Sequence, residues 1–102
     1  MEKDPSIVQA VAALEGRFGA ALKVADHWEA DLMSIGVTGS GAPDVLVYFS
    51  TFRRAPGRYY VDLESPAPVG SNLPYQQGET FDDVDFEELA SLVSRHLGLS
   101  RR

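Results

Sequence analysis

Between His27 and Glu64 the chain carries three stretches with the repeat of β-structure, and the fold has to be built around them. His27-Trp28-Glu29-Ala30-Asp31-Leu32 alternates polar and apolar residues, the pattern of a half-buried strand. Asp44-Val45-Leu46-Val47-Tyr48-Phe49 is apolar on both faces and rich in β-formers, as suits a central strand. Arg58-Tyr59-Tyr60-Val61-Asp62-Leu63-Glu64 alternates again. Two polar-edged strands around an apolar one predict a three-stranded antiparallel meander. Apolar residues at Leu22 and Val24 share the phase of Trp28, so the first strand can begin as early as Leu22. Past Leu32 the phase moves to Met33, Ile35 and Val37, which predicts either a β-bulge or a strand end buried on both sides.

The connections carry their own signals. Thr38-Gly39-Ser40-Gly41-Ala42-Pro43 reads as a flexible hairpin loop, because glycine permits positive φ and proline stops pairing. It has no Gly-Lys-Ser/Thr and no following helix, so it is no phosphate cradle. Ala55-Pro56-Gly57-Arg58 fits a type II turn, with proline second and glycine third.

A helix is predicted on each side of the strands. Asp4 before Pro5 is an N-cap with proline at the first helical position. Ile7, Val11, Leu14 and Phe18 then line one face, up to Gly19. Near the other end, Asp85-Phe86-Glu87-Glu88 has capping-box spacing, and Val84 with Leu89 can staple the start. Phe86, Leu89, Ala90, Val93 and Leu97 form the stripe, and Gly98 closes the helix. The stretch 65–80, with Pro66, Pro68, Pro74, Gly70 and Gly78, reads as one long irregular loop across the domain surface. The expectation is one α+β domain of α-β-β-β-α order, a two-layer sandwich with both helices on one face of the sheet.

That order resembles the double-stranded-RNA-binding domains in topology alone. Those modules place basic residues at the start of the second helix, where this chain has Asp85, Glu87 and Glu88. The whole chain carries a net charge of −6, so phosphate backbones are repelled and no nucleic acid is expected as partner. The absence of cysteine removes disulfides, cysteine–zinc sites and thiol catalysis. No apolar run approaches the roughly 20 residues of a membrane span, and the start lacks a basic signal-peptide region. The expected location is the cytoplasm, as a monomer or homodimer without membrane contact.

Motifs for chemistry are missing. No serine sits in a Gly-x-Ser-x-Gly elbow, and no catalytic residue is assigned. His27, Glu29 and Asp31 would span about 13 Å along one strand, too far to converge on a metal ion. The acidic run from Glu79 to Glu88 lacks the glycine and glutamate placement of a calcium loop. Neither metal nor cofactor is expected. Arg53, Arg54 and Arg58 form a basic cluster able to grip a phosphate or carboxylate, though solvation or pairing with acids further along the chain is the simpler use.

What remains is a surface. If Trp28, Ala30, Leu32, Val45, Val47, Phe49, Tyr59, Val61 and Leu63 face the helices, the opposite face presents His27, Glu29 and Asp31, then Leu46, Tyr48 and Ser50, then Arg58, Tyr60, Asp62 and Glu64. That face is covered by the 65–80 loop, covered by a second copy of the chain, or a binding surface. Like charges at Glu29, Asp31, Asp62 and Glu64, gathered around Tyr48 and Tyr60, suit a basic protein or peptide, in the manner of an adaptor or immunity-type module. The other reading is a small hydrolase or ligand-binding domain, with its site between this face and the 65–80 loop.

Overall fold

The computed structural model describes residues 2–25, 30–67, 69–70, 72 and 75–100. The chain runs α1 (Pro5–Phe18), a short 3-10 turn (Gly19–Ala21), β1 (Leu22–Val24), β2 (Ser34–Gly39), β3 (Ala42–Ser50), β4 (Arg58–Pro66), β5 (Tyr75–Asp85) and α2 (Phe86–Leu97). All five strands pair antiparallel with their chain neighbours, in the order β1-β2-β3-β4-β5. The molecule is a small α+β domain, but its meander has five strands where the sequence pattern predicts three. With that count, the topological likeness to the RNA-binding domains no longer holds.

Both helices start and stop where their caps dictate. Asp4 accepts the Ser6 N–H (3.0 Å) at the head of α1, with Pro5 next. Gly19 closes it at φ 64°. Asp85 accepts the Glu88 N–H at 2.9 Å, and Gly98 takes a left-handed conformation at the other end of α2. Acids open α2 and Arg95 and His96 close it, each sign suited to the helix dipole. The Ala55–Arg58 turn also forms, with Arg58 N bonded to Ala55 O and Gly57 at φ 78°.

Two corrections concern the first strand. The predicted strand over 27–32 is not formed by its described part: Ala30, Leu32 and Met33 lie in turns, and Leu32 is 51% exposed. Trp28, with His27 and Glu29, lies outside the described residues. The change of phase past Leu32 marks no bulge, but it does open a segment buried on both sides, Ser34 to Gly39. That segment is a separate strand, β2, set up by the Asp31 carboxylate accepting the Met33 N–H at 3.0 Å. Between β2 and β3 only Ser40 and Gly41 lie outside the strands, so the expected six-residue loop is a tight turn. The irregularity lies instead where the register shifts beside Thr38, whose hydroxyl donates to the Val45 carbonyl (2.7 Å).

A further correction is β5. Residues 75–80 are not loop but the first half of this strand, leaving a connection over 67–74. Two shifts of register bend it. Leu63 faces both Gly78 and Glu79, and Tyr60 faces both Asp82 and Asp83, each a β-bulge. At the first, a Cβ on residue 78 would lie 2.7 Å from the Leu63 carbonyl oxygen, so glycine is required. At the second, Arg54 Nε donates to Asp82 O (2.8 Å) and Arg58 donates to Asp83 O (3.1 Å). The same guanidinium groups pair with the Asp82 and Asp83 carboxylates at 3.1 and 3.0 Å. Arg54 and Arg58 of the basic cluster thus seal the bulge of the edge strand, while Arg53 lies over the Phe52 ring.

Odd-numbered positions of β2, β3 and β4 build the core. Ile35, Val37, Val47, Phe49, Tyr59, Val61 and Leu63 join the buried stripes of α1 and α2 in one cluster, with Leu22 and Val84. Rows run across the sheet, for example Ile35–Phe49–Val61–Phe81. Tyr59 stands edge-on to Phe49 and to Phe86, tying the sheet to the start of α2. Arg17 of α1 lies over the other ring contact of that corner, 5.1 Å from the Phe86 centroid, and pairs with Glu87. Among the described residues no helix is long and apolar enough to cross a membrane.

Candidate functional site

Even-numbered positions of the same strands form the other face, and the register sets them in three rows. Gly36–Tyr48–Asp62–Thr80 is the central one. Thr38–Leu46–Glu64–Gln77 lies on one side, and Ser34–Ser50–Tyr60 on the other. Alternation alone dictates this, since a strand sends successive side chains to opposite faces. Four of the six residues predicted to bind a partner therefore meet: Tyr48, Tyr60, Asp62 and Glu64. Asp31 lies outside the strands, its carboxylate in the turn before β2 and its carbonyl accepting from Lys3 Nζ at 2.6 Å. Glu29 lies outside the described residues.

The face is not open along its whole length. Leu46 is fully buried although it stands on the side away from the core cluster. Ser34, Thr38 and Ser50 are buried too, while Tyr48, Tyr60 and Glu64 are half-buried and Gln77 and Thr80 exposed. Tyr48 and Tyr60 meet edge to face, centroids 6.4 Å apart. Arg54 stands 5.9 Å from the Tyr60 centroid.

Asp62 is the exceptional residue. It is 8% exposed, and Gln77 Nε2 donates to Oδ2 at 2.9 Å, while the buried Oδ1 has no hydrogen-bond partner among the described residues. Desolvation raises its carboxyl above the ordinary range, opposed by the Gln77 bond. Glu64, two residues on and on the same face, is raised by desolvation and then by the charge of Asp62. Burial likewise raises the Tyr60 phenol, with Asp62 adding to the shift and a hydrogen bond from Thr80 opposing it. Among the described residues no cation pairs with either carboxylate. Buried acids of a folded chain are ordinarily paired, and an unpaired one is a marker of function.

Gln77 and Thr80 belong to this site and were missed in the sequence, because they lie in the stretch read as loop. A cavity of about 480 Å³ opens at the far corner, among Ser6, Ala10, Ala13, Thr51, Tyr59 and Phe86. Three of its polar side chains are bonded to one another: Ser6 Oγ donates to Asp4 (2.5 Å) and lies 2.7 Å from Thr51 Oγ1. Among the described residues no group of three or more potential ligands could hold a metal ion. Compared with protein families, with curated proteins and with solved structures, the chain finds no match.

Proposed function

We propose that this chain is a small protein-interaction module that takes a basic protein or peptide on its even-numbered sheet face. In this reading the domain is a two-layer sandwich, helices on one face and partner on the other. Tyr48, Tyr60, Asp62 and Glu64 make the contact. The observation that carries it is the Asp62 carboxylate, desolvated, half satisfied and beside a second acid. Folding gains nothing from such an arrangement, whereas a cationic ligand would neutralise both acids and cover the tyrosine rings.

The test is a titration of the chain with a cationic peptide of mixed lysine and arginine, at low and high salt. Binding is expected to weaken as salt rises, because charge drives the encounter. Glu64→Lys is expected to abolish it with an unchanged circular dichroism spectrum; Asp62 is too buried for the same reversal. Binding that ignores both salt and Glu64→Lys overturns the reading.

A further inference from the structure

We propose that the group this face takes up is a lysine ammonium, docked at Asp62 Oδ1; the inference rests on the reading of the face as the partner-binding surface. Gln77 already donates to Asp62 Oδ2, at 2.9 Å, so a fork across both oxygens would have to share Oδ2 with it, while Oδ1 has no partner among the described residues. An arginine fork grips a carboxylate through two parallel bonds and needs both oxygens. The ammonium is a compact charge on a flexible stem, with three donors that need not share a plane. One donor reaches Oδ1. Glu64 lies two positions along the strand, roughly 6.5–7 Å away between α-carbons, within reach of another.

The surroundings narrow the approach. Arg54 already faces the Tyr60 ring, so the incoming charge enters on the side of Tyr48 and Glu64. Oδ1 is shielded from solvent in the free chain. Docking therefore turns a neighbouring half-buried ring, while the Gln77 bond stays.

The experiment titrates the full chain with a lysine homopeptide and an arginine homopeptide of equal length, at low salt. The lysine peptide is expected to bind about tenfold more tightly, which is about 1.4 kcal/mol. Asp62→Asn is expected to erase that preference. Gln77→Ala, an exposed change that frees Oδ2, is expected to narrow it by admitting the arginine fork. Thermal melts of both variants establish that they are folded. An arginine peptide that binds the unaltered chain as tightly or more tightly overturns the lysine assignment, and the face reading survives if Glu64→Lys still abolishes both. A lysine preference that persists in Asp62→Asn also overturns the assignment, by placing the contact elsewhere. Failure of both peptides to bind overturns the assignment and the face reading together.

Discussion

The two faces of this sheet come from alternate residues of the same strands, and they solve different problems. The odd-numbered face is apolar from Ile35 to Leu63 and shares one buried cluster with residues of both helices. The even-numbered face mixes Leu46 and two tyrosines with Ser34, Ser50, Thr38, Asp62 and Glu64. The two buried side-chain atoms that lack a partner among the described residues, Ser34 Oγ and Asp62 Oδ1, both belong to it. One face is where burial stabilises the chain. The other retains polar groups that burial makes unfavourable, and a chain keeps such conflicts where function needs them.

The largest effect expected is on the odd face. Phe49 is fully buried in the core cluster, and Phe49→Ala is expected to cost about 3–5 kcal/mol, enough to unfold most of a domain this size. Its chain neighbour Tyr48 is half-buried on the other face, and Tyr48→Ala is expected to cost clearly less. Equal losses in urea unfolding would erase the distinction between the faces.

Next comes the bulge that carries Gln77 and Thr80 onto the even face. Gly78→Ala forces a Cβ against the Leu63 carbonyl and is expected to destabilise by more than about 1 kcal/mol. Gly41→Ala, with open space around it, is expected to stay within about 0.5 kcal/mol of the unaltered chain. Comparable effects at both positions would show that the bulge is not held by that contact. At the end of β5, Asp85→Ala removes the cap of α2 and is expected to cost about 0.5–2 kcal/mol. Asp82→Ala, which removes an exposed pair with Arg54, is expected to cost less. Equal loss at the two positions would remove the capping role.

Local signals explain which parts of this were legible. Both helices follow from caps and stripes contained within their own residues, Asp4 to Gly19 and Asp85 to Gly98, and the structure reproduces them at those positions. Strand β3 is likewise carried by a run of β-formers apolar on both faces, and β4 by apolar alternation. β5 was illegible because each bulge resets the alternation, leaving Phe81 and Val84 three positions apart on one side of a strand otherwise polar. Only pairing with β4 reveals it. The same limit hid half of the candidate site: Tyr48, Tyr60, Asp62 and Glu64 follow from period alone, whereas Gln77 and Thr80 depend on register. Burial of Leu46 and Asp62 was also out of reach, since neighbouring residues in sequence do not say what covers a face.

The smallest effect has the opposite sign from the rest, and it separates the faces by pH. Folding raises the Asp62 carboxyl, chiefly through desolvation, so between its ordinary range and the raised native value the native chain holds a proton that the unfolded chain has released. The contribution of Asp62 is therefore intact below the ordinary carboxylate range and is lost as pH rises through the raised native value. Glu64 acts in the same direction. Asp4 acts oppositely: its hydrogen bonds with Ser6 lower its carboxyl, so its contribution is lost as pH falls. Asp62→Asn keeps an oxygen for Gln77 and removes the charge. The variant is expected to match the unaltered chain in acid and to be the more stable of the two near neutrality, by a small margin. Urea midpoints at acidic and neutral pH measure the difference. A variant that loses the same stability at both would mean that Asp62 is held by a partner in the folded chain, and the even face would then be as satisfied as the odd one.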